Sequence, residues 1–306
     1  MKMGKEGLDK AYEDTVNRIE NQPQGIRDLA KKMLFWIVFA KRPLTTEELR
    51  HALAVEPGTR SLDMRDLCPV EDMVSSCAGL VTIDQGSDII RLVHYTTQEY
   101  FQSHRLVSFQ DVQTDIISTS CLTYLSYDVF AKDYLTYSDL ESCFQQHALF
   151  EYAAQNWGYH IQDAQQSAID LALEFLMDDR KVWTSSQALF AYLWVFPPRP
   201  QQFCGMHLVA YFGLNNIMMR LLEKKDPDTR DTNGRTPLSY AAERGNALVV
   251  DLLLKYDVDP NVKCKDGWTP LCRAIEGRSA AVVQLLLSQR VKINYRYQVV
   301  SISNHI

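Results

Sequence analysis

Apolar side chains recur at every third or fourth position over much of the first eighty residues, which is the spacing of an α-helix. Residues 25–40 are apolar on two faces, so we predict a helix that is covered on both sides. A Thr45-x-x-Glu48 capping box opens a second predicted helix. A third predicted helix carries one apolar stripe, formed by Val70, Met73, Val74 and Cys77. Residues 1–24, ahead of these helices, are predicted to form an N-terminal helix.

The period of the pattern changes in residues 80–94, LVTIDQGSDIIRLVH. Two β-rich runs on either side of an Asp-Gln-Gly-Ser turn predict a β-hairpin. Thr96-x-x-Glu99 then predicts a capping box at the start of a closing helix. Three helices, a two-stranded wing and a closing helix are the order of elements in a winged helix. We therefore predict a winged-helix domain over residues 25–108.

Residues 109–200 return to a helical pattern and predict a helical linker. In one of its helices, Ile169, Leu173 and Leu176 fall on one side. The proline-rich stretch PPRP, residues 197–200, marks the predicted end of the linker.

The last third of the chain contains an internal repeat. Residues 233–254 agree with residues 266–287 at 12 of 22 positions when the two are offset by 33. Thr236 and Thr269 stand where they would cap a helix start, and each is followed by a proline at the first turn. The apolar face of the second helix in each unit needs a neighbouring unit to cover it.

The period and the shared T-P-L motif resemble the ankyrin repeat, whose signature is T-P-L-H-x-A. Ser239 and Cys272 occupy the histidine position of that signature, and Arg278 takes the place that Gly245 has one unit earlier. Residues 206–231 fit the same template one residue short. We predict about three repeats over residues 201–297, followed by a tail at 298–306. The predicted fold class is mainly α: a winged helix with a small β-hairpin wing, a helical linker and an ankyrin α-solenoid.

Charge is distributed unevenly along the chain. Lys and Arg minus Asp and Glu gives 14 − 16 = −2 for residues 1–105, 4 − 12 = −8 for 106–200 and 14 − 10 = +4 for 201–306. The acidic middle and the basic end either dock on each other or face solvent separately. The third predicted helix, which would enter a DNA groove, lies in a stretch from 66 to 90 without Lys or Arg. Because phosphate contacts need positive charge, we expect no nucleic-acid partner.

The seven cysteines are scattered, without C-x-x-C pairs or a histidine at zinc-finger spacing. We expect reduced, mostly buried thiols and no metal site. The longest apolar run, MLFWIVFA at residues 33–40, is too short to cross a bilayer. We expect no membrane partner and a cytoplasmic protein, with the nucleus as the alternative location.

Four further stretches carry a family resemblance, AKRPLTTEELRHALAVEPG (40–58), VHYTTQEYF (93–101), CLTYLSYDVFA (121–131) and YAAQNWGYH (152–160). They resemble the segment that follows the NACHT nucleotide-binding domain in fungal NLR-like proteins of the STAND class. That segment is a winged-helix domain also named for GPI inositol-deacylase-like proteins, followed by a helical linker and ankyrin repeats. The resemblance implies that residues 1–24 are the end of a NACHT-type region. It also implies that the chain is a fragment or a derivative of a longer NACHT-ankyrin protein.

In the wider STAND class, a histidine just after the wing contacts the phosphate of bound ADP. Val93-His94-Tyr95 occupies that place here, with Tyr95 at the position of an aspartate. The chain contains no G-x-x-x-x-G-K-[ST] loop, and no acidic Walker B strand precedes the winged helix. We therefore interpret His94 as a vestigial phosphate-sensing position and expect no cofactor.

Two functional hypotheses follow. In the first, the protein is not an enzyme and has no small-molecule substrate, because no nucleophile elbow, H-E-x-x-H or dinucleotide turn is present. Its ankyrin repeats then bind a protein partner, which the basic rim suggests is acidic. The predicted contacts are exposed residues outside the repeat framework, namely Arg230, Arg235, Tyr240, Lys263, Lys265, Trp268 and Arg273. Trp268 either anchors the partner or packs on the adjacent hairpin.

In the second hypothesis, the chain is the regulatory half of a STAND ATPase. It would then act with a separate or missing NACHT domain and supply His94 to the nucleotide bound there. This hypothesis predicts association with a NACHT-bearing protein that depends on ADP.

Overall fold

The computed structural model describes residues 5–103, 115–133, 135–162, 166–191 and 203–289. The chain consists of two compact units, residues 1–197 and residues 198–306. Within the described ranges the protein is mostly helical with a three-stranded sheet, so the predicted fold class is confirmed. The predicted start of the linker at residue 109, its predicted end at residue 200 and the predicted tail lie outside the described residues.

The first half of the first unit is the winged helix, with α1 ahead of it. Its central element is α2, in which Ala30, Met33 and Leu34 are fully buried and Trp36 nearly so. Burial on two sides of this helix matches its two apolar faces. The elements in chain order are α1 (Lys5–Glu20), α2 (Gln24–Phe39), β1 (Leu44–Thr45), α3 (Thr46–Leu53), α4 (Val70–Ser76), β2 (Val81–Asp84), β3 (Ile89–Leu92) and α5 (Tyr95–Ser103).

The wing is larger than the predicted hairpin. β2 and β3 pair antiparallel as expected, and the Asp84 carboxylate accepts hydrogen bonds from the N–H groups of Gly86 and Ser87 in the turn. β1 adds a third strand on the other side of β3, with Leu44 opposite Ile90. A strand of two residues is too short to show a period in the sequence, which is why the prediction missed it.

One of the two predicted capping boxes is confirmed and the other is wrong. Thr45 accepts a hydrogen bond from the Glu48 N–H, and the Glu48 side chain accepts one from the Thr45 N–H. Thr96, in contrast, lies inside α5, which begins at Tyr95. Its hydroxyl is hydrogen bonded to the Tyr12 hydroxyl of α1 at 2.6 Å, so a tertiary contact replaces the local cap.

The linker helices complete the first unit. They are α6 (Ile116–Leu125), α7 (Tyr137–Gln146), α8 (Leu149–His160), α9 (Gln166–Met177) and α10 (Asp179–Leu189). The most buried face of α9 carries Ala168, Ala172 and Phe175 rather than Ile169 and Leu173, which are only half-buried. The small alanines allow close packing, and the Phe175 ring meets Trp157 of α8 edge-on at 5.7 Å.

Two buried tyrosines of the linker helices connect them to the winged helix. The Tyr124 hydroxyl on α6 lies 2.7 Å from Nδ1 of His51 on α3. The Tyr152 hydroxyl on α8 accepts a hydrogen bond from the Lys41 N–H and lies 2.8 Å from Nε2 of His160. Burial, with a smaller effect of Lys41, lowers the pKa of His160 to about 4, so this imidazole is neutral.

The second unit is a stack of three helix pairs joined by hairpins. The pairs are α11 (Gly205–Phe212) with α12 (Asn215–Leu222), α13 (Pro237–Arg244) with α14 (Ala247–Lys255), and α15 (Pro270–Glu276) with α16 (Ala280–Ser288). Pro237 and Pro270 start their helices as predicted. Thr269 caps α15 by accepting from the Cys272 N–H, whereas the Thr236 hydroxyl contacts the Ser239 hydroxyl instead of capping α13.

The turn between the helices of the third pair is strained. Gly213 and Gly245 end the first helix of their pairs with φ of 75° and 73°, the left-handed region. Arg278 holds the corresponding position in the third pair with φ of 54°. A residue with a Cβ is disfavoured in this region by about 1–2 kcal/mol.

We expect Arg278→Gly to stabilise the repeat unit by about 1 kcal/mol, because glycine adopts this backbone conformation without strain. Urea denaturation of the full chain, followed by hydrogen exchange in α15 and α16, measures the change. Arg278→Lys keeps the Cβ and is expected to leave stability unchanged. A loss of protection in Arg278→Gly would contradict the assignment of strain.

We expect the first repeat to lose stability in mild acid. Burial lowers the pKa of His207 to about 4, whereas an unfolded histidine titrates near 6.5. Between these values the unfolded chain binds a proton that the folded chain does not, so stability falls as the pH falls, by about 2 kcal/mol from pH 7 to pH 5. Hydrogen-exchange protection of residues 205–222, corrected for intrinsic rates, measures this loss. The first repeat of His207→Gln should be less stable at pH 7 but should lose less stability on acidification. An equal loss of stability in both proteins would refute the prediction.

Candidate functional site

The hairpin tips of the repeat unit are built twice from the same turn. In one, the Asp231 N–H donates to the Arg235 carbonyl at 2.9 Å; in the next, the Cys264 N–H donates to the Trp268 carbonyl at 2.9 Å. Gly234 and Gly267 provide the left-handed residue in each turn. The two tips are also joined, because the Lys265 N–H donates to the Asn233 carbonyl at 2.8 Å. The tips therefore form a continuous, ordered edge.

Four of the seven predicted contact residues are brought together in two pairs. The Arg235 guanidinium lies over the Tyr240 ring at 3.8 Å, and the Arg273 guanidinium lies over the Trp268 ring at 4.7 Å. Residues 235 and 268 are offset by 33, as are residues 240 and 273. The same contact is thus made twice with the cation and the aromatic ring exchanged. We call these two contacts the tip–helix pairs.

The tip–helix pairs correct part of the predicted site. Tyr240 is only 4% exposed, and its hydroxyl donates to the Asp231 carboxylate at 2.7 Å. The prediction that Tyr240 is an exposed contact is therefore wrong: the ring packs under Arg235. Arg235 and Arg273 are also largely buried: Arg235 forms an ion pair with Glu243 of α13, and Arg273 forms one with Glu276 of its own helix, α15. Trp268 is half-buried against Arg273.

The other three predicted residues lie on the surface. Arg230, Lys263 and Lys265 are exposed along the hairpins, and we call them the basic edge. The Asp228 and Asp259 carboxylates lie on the same hairpins. The Asp228 carboxylate accepts a hydrogen bond from the Asp259 N–H at 3.3 Å. Burial raises the pKa of Asp228. The basic edge is the part of the predicted site that is free to meet a partner.

Sequence reasoning missed His207, which is fully buried at the junction of the first two repeats. Its Nδ1 accepts a hydrogen bond from the Cys204 N–H at 3.1 Å. Its Nε2 lies 3.2 Å from the Thr229 carbonyl and 3.3 Å from the Arg235 carbonyl. Setting residues 204–213 over 236–245, an offset of 32, places His207 on the histidine of the ankyrin signature. The one-residue offset concealed this signal.

Asn246 was also missed by sequence reasoning, because the sequence carries no signal for it. Its side-chain amide donates to the carbonyls of Ala210 and Tyr211 at 2.8 and 2.9 Å, which satisfies the end of α11 from the next repeat. A Cβ on Gly213 would lie 2.7 Å from the Asn246 Oδ1. Glycine at this position therefore allows both the left-handed turn and the contact between repeats.

His94 lies far from the repeats in the chain, at the junction of β3 and α5. It is exposed and lines a cleft of about 460 Å³ in the winged helix. The lining includes Lys41, Arg42 and Arg91 but no carboxylate side chain. Arg42 is neutralised by Glu48, with two hydrogen bonds of 2.9 and 2.6 Å. The exposed cationic side chains of the cleft are thus Lys41 and Arg91, and the His94 imidazole lies beside them.

Neither a cluster of metal-ligating side chains nor a membrane-spanning helix is present in the part of the chain that the structure describes. In these residues no three His, Cys, Asp or Glu side chains are placed to hold a metal ion together. Likewise, no helix in the described ranges has the length and apolar character that crossing a bilayer requires.

A part of each unit matches a known protein family. Residues 206–297 match the description "Ankyrin repeats" in three copies, and residues 19–115 match "GPI inositol-deacylase, winged helix domain". The chain therefore contains ankyrin repeats and a winged-helix domain of the GPI inositol-deacylase type, as the sequence predicted.

Two curated proteins are similar to parts of the chain. Azaphilone pigments biosynthesis cluster protein L of Monascus ruber is 26% identical over 179 residues, which are 53% of this chain and 36% of that protein. Delta-latroinsectotoxin-Lt1a of Latrodectus tredecimguttatus is 47% identical over 55 residues, which are 17% of this chain and 4% of the toxin. The chain thus spans about a third of the length of the first relative and a small part of the second.

We expect the tip–helix pairs to stabilise the repeats by about 1 kcal/mol each, the size of a partly desolvated cation–π contact. A double-mutant cycle with Trp268→Leu and Arg273→Met measures the coupling of one pair by urea denaturation. Trp268→Leu combined with Lys255→Met on α14 is the control and should be additive. Additivity in the first cycle would mean that Trp268 and Arg273 stabilise the repeats independently, each through its own packing contacts.

Proposed function

We propose that the chain is a non-catalytic interaction protein whose ankyrin repeats bind a protein partner. The observation that carries this proposal is the ordered tip edge with Arg230, Lys263 and Lys265 exposed along it. Ankyrin repeats support a role in protein interaction. A surface that is already ordered before binding loses little conformational entropy when a partner docks.

The chemistry of the basic edge supports an acidic partner. Its three cationic side chains are exposed, whereas Arg235 and Arg273 are neutralised within their own repeats. Exposed charges of one sign steer a partner of the opposite sign and contribute more to the rate of association than to the final affinity. Binding through this edge should therefore weaken as salt concentration rises.

We expect charge reversal of the basic edge, Arg230→Glu with Lys263→Glu and Lys265→Glu, to reduce partner recovery at least about tenfold. Quantitative cross-linking mass spectrometry with the full chain as bait measures the recovery. The matched control reverses Arg220 on α12, Lys255 on α14 and Lys224 just after α12, and should leave recovery unchanged. Equal recovery with both variants would place the partner elsewhere.

We also infer a derivation from an NLR-like signalling protein of the STAND class, supported by the winged helix and the ankyrin repeats occurring in one chain. The second functional hypothesis, a regulatory half acting with a separate NACHT domain, is favoured by one observation: His94 is exposed at a basic cleft. Isothermal titration of ADP into the full chain, alone and with a NACHT-bearing protein, tests it. If neither titration releases saturable heat, the second hypothesis is ruled out. Saturable heat in either titration would support it.

A further inference from the structure

The cleft beside His94 lies where two segments of the winged helix separate. α2 ends at Phe39, and residues 40–43 lead from it into β1. β1 pairs with β3 only at Ile89 and Ile90, whereas β2 pairs with β3 as far as Leu92. The cleft is bordered by residues 40–44 on one side and by residues 90–95 on the other. The end of β3 therefore has a neighbouring strand on one side only.

The backbone of β3 faces its two neighbours alternately. The Thr46 N–H donates to the Asp88 carbonyl on the β1 side, and the Val93 N–H donates to the Leu80 carbonyl on the β2 side. By this alternation the N–H and C=O of Leu92 point to the β1 side. An antiparallel continuation of β1 would place Arg42 opposite Leu92, but β1 begins only at Leu44. No β1 residue is paired with Leu92, so this side of the strand is open to another chain.

The side chains around the open strand define the chemistry of an occupant. Lys41, Arg91 and His94 are exposed, and the lining includes no carboxylate side chain. Arg91 forms an ion pair with the half-buried Asp84 at 3.3 Å. Val93 and Tyr95 are 46% and 77% exposed, so apolar surface lies beside these polar side chains. The cleft thus combines an open strand, positive charge and exposed apolar surface.

We propose that this cleft binds an extended, acidic peptide segment of a partner protein, which adds a strand to β3 beside Leu92. Main-chain hydrogen bonds to a strand edge provide affinity without sequence preference, and alternating side chains provide specificity. Carboxylates of the peptide would meet Lys41, Arg91 and His94, while apolar residues of the peptide would pack near Val93. This site is separate from the basic edge of the repeats, so either proposal can fail without the other.

The test uses the full chain and a fluorescein-labelled octapeptide that alternates glutamate and valine. Fluorescence anisotropy should show saturable binding that an alternating lysine–valine peptide does not reproduce. N-methylation of alternate peptide nitrogens removes main-chain donors without changing charge, and should weaken binding at least about tenfold. Hydrogen exchange should show protection of the Leu92 amide when the unmodified peptide is bound.

Matched variants locate the binding. Arg91→Glu should weaken binding at least about tenfold, since it places a like charge beside the peptide carboxylates. Arg65→Glu makes the same charge change on an exposed arginine of the same domain that does not line the cleft, and should have no effect. Circular dichroism confirms that both variants are folded.

Three outcomes would overturn the proposal. Binding that survives N-methylation would show that the peptide is held by electrostatic attraction, without the addition of a strand. Equal loss in Arg91→Glu and Arg65→Glu would place the peptide outside the cleft. Displacement of the peptide by ADP or inorganic phosphate at equal concentration would show a small-anion site, and would favour the second functional hypothesis instead.

Discussion

The repeat unit depends on one constraint, that a single helix pair cannot bury its own apolar face. Leu238, Ala241, Val249 and Leu253 have no exposed surface because the neighbouring pairs cover them. Stability in such an array is approximately a sum over units and the interfaces between them. The interfaces also contain polar groups, and a buried polar group without a partner costs about 1–3 kcal/mol. Each interface therefore needs hydrogen bonds as well as apolar contact.

His207 and Asn246 meet that requirement between the first two pairs. The His207 ring reaches carbonyls of the following hairpin, and the Asn246 amide reaches carbonyls at the end of α11. Both side chains bond to main-chain groups, which every residue type provides. The neighbouring repeat can therefore vary in sequence without losing these contacts. In the first unit, Tyr124 and Tyr152 have a similar part, connecting the winged helix to helices of the linker.

Periodicity was sufficient to predict most of the fold. The two-faced α2, the hairpin and the repeat all had a regular spacing, and the ankyrin and winged-helix assignments followed from it. The predictions that were wrong concern residues whose environment is set by contacts with other parts of the chain. Thr96 satisfies a local capping pattern, yet Tyr12 takes its hydroxyl. Tyr240 stands at a variable position, which suggested an exposed residue, yet Arg235 and Asp231 enclose it. Variation between repeats marked these positions without showing whether they face a partner or each other.

The exchange of cation and aromatic ring between Arg235–Tyr240 and Trp268–Arg273 has a consequence for how such an array changes over generations. Both members of each pair lie within one period of 33 residues, so duplication or deletion of a whole repeat never separates them. A single replacement at either position breaks a contact, whereas a coordinated exchange restores it. Successive tips are thereby able to carry arginine or tryptophan over the same backbone, without any alteration of the scaffold beneath.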